Sequence, residues 1–155
     1  MEDKNRKFVL TVEEFNNQKY SIENILLNSK LYDISFGGLK SDNGDKISIV
    51  GKTMYDVLDL YERLHDWLMS KNIAHKIATR KRVEHSSYEQ SKKLVTIYVP
   101  NDLDINTLML KIEFLLKGYK GWHDIKIPFN GYEHYSNGIC FRNDRDEYGN
   151  YIPSK

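Results

Sequence analysis

Residues 93–100 read Lys-Leu-Val-Thr-Ile-Tyr-Val-Pro, the stretch of the chain that most favours a β-strand. Valine, isoleucine, threonine and tyrosine favour extended backbone, so we expect a β-strand over 93–99 that ends at Pro100. The chain also contains shorter extended patterns that are separated by turn residues. These cover residues 30–36, 46–50, 73–78, 124–127 and 138–141. Together the patterns predict a sheet.

Two helical patterns accompany the extended ones. The longer pattern runs from Thr53 to Lys71, with Thr53 and Asp56 as a capping box and an apolar stripe at helical spacing. The stripe consists of Met54, Val57, Leu58, Tyr61, Leu64 and Leu68. The second pattern follows Asp104, covers 105–117 and ends before a glycine. We therefore expect a single compact α+β domain, with a mixed or antiparallel sheet and two main helices packed on it.

Length and composition exclude several classes of protein. The 155 residues carry 23 lysines and arginines against 22 aspartates and glutamates, a net charge of +1, with one cysteine. This size fits one domain, and we assign residues 29–155 to it and residues 1–28 to an N-terminal arm or an extra strand or helix. One cysteine permits no internal disulfide, and no apolar run is long enough for a membrane span, so we expect a cytoplasmic protein. The balanced charge argues against nucleic acid as a partner.

One stretch departs from this charge balance. Residues 76–93 carry six positive and two negative charges, a local charge of +4. Because residues 79–93 are polar and lack periodicity, we expect an exposed loop there. Lysines and arginines around a strand edge suit a phosphate or a carboxylate, and a merely solvated loop is the alternative. Tyr88 stands alone in this loop, whereas a single-strand nucleic-acid binder needs several aromatic side chains for stacking.

Several further side chains could carry function, and most of them have a structural alternative. Asp33 lies in the middle of a short predicted strand among apolar neighbours, an unusual place for a carboxylate. His65 is expected on the solvated edge of the long helix, and Cys140 is expected to be buried in an apolar strand. Tyr132 and Tyr135 fit a protein-contact surface or the cover of a sheet. No glycine-rich phosphate loop or metal-ligand spacing is present, so we expect neither a cofactor nor a metal.

Four segments follow one another in an informative order. They are His75-Lys76 after the long helix, 93–100 after the basic stretch, Cys140-Phe-Arg-Asn143, and Asp146-Glu-Tyr-Gly149. They are similar to a Phe-Lys pair, a strand reading roughly Lys-Phe-Ile-Thr-Ile-Tyr-Pro, a Tyr-Arg-Tyr-Gly element and a closing Asp-x-x-Gly turn. The chain from Lys30 onward thus resembles the small lyase domain of class III and class IV lanthipeptide synthetases, which is related to secreted phosphothreonine lyases.

The resemblance implies β-elimination of phosphate from phosphothreonine or phosphoserine. In the family a lysine takes the α-proton, a histidine protonates the leaving oxygen, and basic residues hold the phosphate. Carried over by position, Lys76 corresponds to the base, while Lys93 and Arg142 correspond to phosphate ligands. Arg80 and Arg82 would join them as phosphate ligands if their loop folds inward.

The chain departs from the family pattern at the catalytic acid. The family's Lys-x-His motif is replaced by Leu31-Tyr32-Asp33, which removes a phosphate lysine and the histidine, and puts Asp33 at the position of the acid. A family arginine is also missing near Phe129-Asn130. We therefore expect a catalytically degenerate domain that binds a protein partner, as an inhibitory, immunity or anti-defence protein of a bacterium or phage. The alternatives are an active lyase, with His75 or water as the acid, and a binder of a phosphate-containing ligand such as a nucleotide.

Overall fold

The computed structural model describes residues 21–38, 44–127 and 131–143, together with Tyr148 and Asn150. Within these ranges the chain forms one six-stranded sheet with helices on both of its faces. The strands are β1 Asp33–Phe36, β2 Asp45–Val50, β3 His75–Ala78, β4 Lys93–Tyr98, β5 Glu133–Ser136 and β6 Ile139–Asn143. The helices are α1 (residues 21–28), α2 Met54–Ser70, α3 Arg80–His85, α4 Tyr88–Lys92 and α5 Ile105–Leu115.

The strand order across the sheet is β1-β3-β4-β2-β6-β5, and each neighbouring pair is antiparallel. The strand predicted over 93–99 is confirmed as β4, and it is one of the two central strands of the sheet. The prediction of a single compact α+β domain with two main helices is also confirmed. Residues 1–20 of the predicted N-terminal arm lie outside the described residues, as does most of the predicted turn at 146–149.

Alternation along the strands gives the sheet one apolar and one polar face. The apolar face is buried together with the inner sides of α2 and α5. Its strands contribute Ile47, Ile49, Ile77, Val95 and Ile97, and the two helices contribute Val57, Leu60, Leu64, Leu68, Leu108 and Ile112. Each such side chain stabilises the fold by about 1.5–3 kcal/mol when it leaves water. This face therefore holds the sheet and the two main helices together.

The long helix begins as the sequence predicts. The Thr53 hydroxyl accepts from the Asp56 N–H at 3.2 Å, and Asp56 Oδ2 accepts from the Thr53 N–H at 3.1 Å, which completes the capping box. The helix ends at Ser70, and Asn72 then takes a left-handed φ of 54°, which turns the chain toward β3. No described helix is both long and apolar enough to span a membrane.

The prediction of an exposed loop over 79–93 is wrong. The short helices α3 and α4 fill most of this segment and pack on β3 and β4. Ser87 begins α4, because its hydroxyl accepts from the Gln90 N–H at 3.4 Å. Each helix spans less than two turns and lies on the polar face of the sheet. Neither therefore needs an apolar stripe, and the periodicity that marks a longer helix is missing.

The prediction of a strand over 124–127 is also wrong. Asp124 has a left-handed φ of 65°, and Ile125 packs into a small cluster with Val50 and Cys140 instead of joining the sheet. The outermost strand on that side is β5, which lies outside the predicted extended patterns. Because β5 is an edge strand with exposed and half-buried side chains, its sequence lacks the apolar run that signals a buried strand.

The prediction that His65 is solvated is wrong, because it forms a buried pair with His75. His65 Nδ1 lies 3.0 Å from His75 Nε2, and His75 Nδ1 lies 2.9 Å from the Ile73 carbonyl oxygen. A carbonyl only accepts, so His75 Nδ1 donates to Ile73 and His75 Nε2 accepts from His65. The rings of Phe36 and Tyr61 pack against His65. Burial lowers the pKa of His65 to about 3 and the pKa of His75 to about 4, so both rings are neutral at neutral pH.

The neutral histidine pair should make stability depend on pH. A histidine of the unfolded chain takes up a proton near pH 6.5, whereas the folded pair takes up protons near pH 4 and below. Since the unfolded state then binds more protons, the free energy of unfolding falls as the pH falls. The slope approaches about 1.4 kcal/mol per pH unit for each histidine. Urea titrations between pH 7 and pH 5 measure it.

A single substitution controls for the other titrating groups. His75→Asn keeps a donor for the Ile73 carbonyl but leaves one buried histidine in place of two. The pH slope of this variant should be smaller than that of the parent protein by up to about 1.4 kcal/mol per pH unit, the share of one histidine. A parent protein whose stability does not change between pH 7 and pH 5 contradicts the buried, neutral pair.

Candidate functional site

A cleft of about 200 Å³ opens on the polar face of the sheet. Strands β1 to β4 supply side chains to it, and α3, α4 and the residue before β5 supply its walls. The lining consists of Asp33, Lys46, Lys76, Ala78, Arg82, Gln90, Lys93, Leu94, Thr96 and Tyr132. Four of these side chains are cationic and one is a carboxylate. Positive charge is therefore concentrated in the cleft, although the whole chain carries a net charge of only +1.

One end of the cleft is organised around the carboxylate of Asp33. Arg82 Nη2 donates to Asp33 Oδ2 at 2.7 Å, and Lys76 Nζ lies 3.7 Å from the same oxygen. Arg82 Nη1 also donates to Gln90 Oε1 at 3.2 Å, which fixes the plane of the guanidinium group. The side chains of Arg82 and Asp33 are 15% and 21% exposed, so salt screens this ion pair less than a surface pair.

The other end of the cleft is organised around the ring of Tyr132. Lys93 Nζ lies 4.7 Å from the ring centre, and Arg142 Cζ lies 5.7 Å from it, so the ring is in cation–π contact with both. Burial lowers the pKa of Lys93 to about 8; Glu89 opposes the shift, and the charges of Arg142 and the neighbouring lysines add to it. Lys93 therefore gives up its proton more readily than an ordinary lysine.

Tyr132 is held in this position by its surroundings. The Ser48 hydroxyl donates to Tyr132 Oη at 3.3 Å, and burial raises the pKa of the phenol. The preceding residue, Gly131, has a φ of +81°, and a Cβ there would lie 3.2 Å from Arg142 Nη1. Glycine suits this position both for its backbone conformation and for the close approach of the arginine. Gly131 thus contributes to the position of Tyr132 in the wall of the cleft.

The structure brings together most of the basic residues that the sequence singled out. Lys76, Arg82 and Lys93 line the cleft, and Asp33 lies between Lys76 and Arg82. Arg142 is buried next to the ring of Tyr132 and adds its charge to this end of the site. These residues come from β1, β3, α3, β4 and β6, so only the folded sheet places them near one another.

Four other predicted residues lie elsewhere or in a different role. His75 points to the apolar face, away from the cleft, where it pairs with His65. Arg80 is exposed on α3, with its Nε 3.9 Å from the Glu84 carboxylate. Tyr132 is buried and lines the cleft, so it is not an open contact surface, and Tyr135 is half-buried and packs against the main core.

Sequence reasoning missed three polar lining residues, Lys46, Gln90 and Thr96. Lys46 and Thr96 lie on strands that the sequence did identify, and alternation along those strands puts both on the polar face. This alternation could have identified both residues as part of the polar face. Gln90 gave no such signal, because it lies on α4, which was expected to be a loop.

Comparison of the chain with protein-family models and with curated proteins finds no match. The chemistry of the cleft is therefore the basis for a function. In the described ranges no group of three histidine, cysteine, aspartate or glutamate side chains is placed to hold a metal ion. The polar groups that dominate the cleft are N–H donors of lysine and arginine, and such donors bind anions.

Lys93 should titrate near pH 8, against 10.5 for an ordinary lysine. Its side-chain Cε resonance, assigned by its loss in Lys93→Arg, reports the titration by carbon-13 NMR. Saturating inorganic phosphate should raise the midpoint, because a bound anion stabilises the ammonium form. A midpoint near 10.5 without phosphate, or one that phosphate leaves unchanged, contradicts this account of the cleft.

Proposed function

We propose that the protein is a catalytically degenerate domain of the phosphothreonine-lyase type that binds a phosphorylated side chain of a protein partner. Four cationic side chains converge on one small cleft, and this convergence is the observation that supports the proposal. A phosphate dianion satisfies such donors through charge-assisted hydrogen bonds, worth about 1.5–3 kcal/mol each. The inhibitory, immunity or anti-defence role in a bacterium or phage stays a prediction from the sequence.

The size of the cleft favours a phosphorylated side chain over a nucleotide. Sites for larger small molecules occupy roughly 300–1,000 Å³, whereas this cleft has about 200 Å³. A nucleobase also needs an aromatic face on which to stack, and Lys93 and Arg142 already contact the ring of Tyr132. A phosphothreonine or phosphoserine side chain requires only room for the phosphate and a short stem. The rest of the partner then lies outside the cleft.

The arrangement of charges favours binding over β-elimination. Elimination needs a lysine that takes the proton on Cα and an acid that protonates the departing phosphate oxygen. Lys76, the base by resemblance, lies in an ion pair with Asp33, and an ammonium engaged in this way offers no lone pair. Asp33 itself accepts a hydrogen bond from Arg82. The two positions that should supply base and acid thus neutralise each other.

Asp33 also makes the cleft selective. Arg82 and Lys76 already hold a carboxylate, so an incoming anion must displace or share these contacts. A ligand with a single negative charge gains little from that exchange, because it replaces one carboxylate by another group of the same charge. A phosphate with a charge near −2 gains more. The cleft should therefore prefer a phosphorylated side chain to an aspartate or glutamate of the partner.

An active lyase is the second candidate function, and one observation favours it. Lys93 has a pKa of about 8, so part of its population is a neutral amine in weakly alkaline solution. A neutral amine at that position would accept the Cα proton in place of Lys76. The two candidates differ in the fate of the phosphate, which is retained after binding and released after elimination.

Two arginines of α3 provide a matched pair of variants. Arg82 lines the cleft, and Arg80, two positions earlier, is exposed outside it. Arg82→Gln should weaken the binding of a fluorescent phosphothreonine peptide by roughly tenfold or more, the effect of losing a charge-assisted hydrogen bond. Arg80→Gln should change it by about twofold or less. Fluorescence anisotropy measures both affinities, with the unphosphorylated peptide as the ligand control. Equal effects of the two variants, or equal affinity for the two peptides, contradict the proposal.

Removal of the competing carboxylate should act in the opposite direction. Asp33→Asn should tighten binding of the same phosphothreonine peptide by several-fold, because Arg82 and Lys76 are then released for the phosphate. After incubation with the parent protein, mass spectrometry should find the phosphate still on the peptide. Conversion of the phosphothreonine to dehydrobutyrine would identify the lyase instead, and Lys93→Met should then abolish the conversion.

A further inference from the structure

Strand β1 lies at one edge of the sheet, directly beside the cleft. In the described part of the chain its strand neighbour is β3 alone. Asp33, which organises one end of the cleft, is the first residue of this edge strand. A partner that approaches the cleft from this side therefore meets the backbone of β1.

The register of β1 against β3 determines which backbone groups point outward. The Thr79 N–H donates to the Tyr32 carbonyl at 3.1 Å, which makes these two residues a hydrogen-bonded antiparallel pair. The pairing continues from Asp33 with Ala78 to Phe36 with His75, and hydrogen-bonded pairs alternate with non-bonded ones. Asp33 and Ser35 fall in the non-bonded pairs. Their N–H and carbonyl groups therefore point away from β3, toward the outer edge.

The side chains of these same two residues lie on the polar face. Asp33 lines the cleft, and Ser35 is paired with Lys76 across the sheet. A residue of an added strand that pairs with Asp33 would project its own side chain to this face, about 4.8 Å to the side of β1. There it would meet Arg82 and Lys76. The backbone edge and the cationic cleft are thus in register for one ligand.

The surroundings of the edge suit a phosphorylated peptide. Leu31 and Tyr32, just before β1, are 61% and 43% exposed, and Ser35 is exposed as well. Lys81 Nζ lies 4.8 Å and Arg82 Cζ 5.5 Å from the centre of the Tyr32 ring. The approach to the edge is therefore lined by positive charge. At the opposite edge, β5 begins with the exposed carboxylate of Glu133, which would repel a phosphate.

We infer that an extended phosphorylated segment of the partner adds to the outer edge of β1 as an antiparallel strand, with its phosphorylated residue opposite Asp33. The inference rests on the proposed function and adds the way in which the partner's backbone is held. The N–H and carbonyl groups of Asp33 and Ser35 bind the main chain of the segment. Arg82 and Lys76 bind its phosphate, and the two contacts together distinguish a phosphorylated strand from a free phosphate.

Ser35 offers a test with a matched control. Ser35→Pro removes the outward N–H without removing a hydrogen bond to β3, and proline is tolerated at such an edge position. Ser35→Ala keeps the N–H. Ser35→Pro should weaken binding of acetyl-Ala-Val-phosphothreonine-Val-Ala-amide by about 2–13-fold, the effect of one hydrogen bond. Ser35→Ala should leave the affinity unchanged, and neither variant should change the affinity for free O-phosphothreonine, which has no peptide chain to pair.

The outcomes separate this inference from the proposed function. Equal affinity of Ser35→Pro and Ser35→Ala for the peptide overturns strand addition, while phosphate-dependent binding would still support the proposed function. Failure of the parent protein to bind either ligand overturns both.

A measurement on the ligand does not depend on the folding of the proline variant. Methylation of the phosphothreonine backbone nitrogen should weaken the peptide, because that N–H faces β1 in the antiparallel pairing. Methylation of the next valine nitrogen, which faces away, should not. Equal effects of the two methylations overturn the inference.

Discussion

Successive residues of β3 point to opposite faces of the sheet, and the division between core and cleft depends on this alternation. His75 lies on the helix side, where its ring is buried against His65. Lys76, the next residue, lies on the polar side within 3.7 Å of the Asp33 carboxylate. Ile77 of β3 and Val95 of the neighbouring strand β4 enter the core, while Thr96 of β4 lines the cleft. A shift of the register by one residue would bury the lysine and expose the core.

The same division explains how the cleft tolerates its charges. Lysines and arginines on one face of a sheet repel one another, and their burial costs hydration. Two features reduce this repulsion. Asp33 neutralises part of the positive charge at one end of the cleft, and Lys93 has a lowered pKa at the other end. Both arrangements leave the cleft ready to gain from an anion, because a bound phosphate would restore charge balance and favour the ammonium form of Lys93. In the proposed function, binding of a phosphate would therefore offset an electrostatic cost that the folded protein has without a ligand.

Periodicity decided how much of the fold the sequence predicts. The two long helices were recognisable because each buries a regular apolar stripe, and the central strand because its residues favour extended backbone. Helices α3 and α4 lie on a polar surface and β5 lies at an edge, so none of the three carries such a pattern. The charge of the basic stretch could be read from the sequence, but its shape could not. His65 was misplaced for a related reason: a histidine looks polar in a helical pattern, whereas a histidine partner ten residues later lets it be buried.

Residues of the candidate site could likewise be predicted only where the nearby sequence carries a signal. Lys76, Arg82 and Lys93 stand out because cations cluster in that part of the chain, and Asp33 stands out as a carboxylate within a short predicted strand. Lys46 also lines the cleft but lies far from the cluster in sequence, and only the pairing of β2 with β4 brings it there. The role of Tyr132 depends on a left-handed glycine before it and on the hydroxyl of Ser48, two contacts that its sequence neighbours do not indicate.

Edge strands are places where sheets join other chains, and β1 has features that restrict which chains it can accept. It is short, and it directs a carboxylate, Asp33, onto the face where the neighbouring side chain of an added strand would lie. Charged side chains of this kind discourage pairing with an ordinary strand. A phosphorylated strand differs, because Arg82 and Lys76 offset the repulsion from Asp33. In the proposed binding mode Asp33, the residue at which the chain departs from the pattern of an active lyase, would then select a phosphorylated strand over an ordinary one.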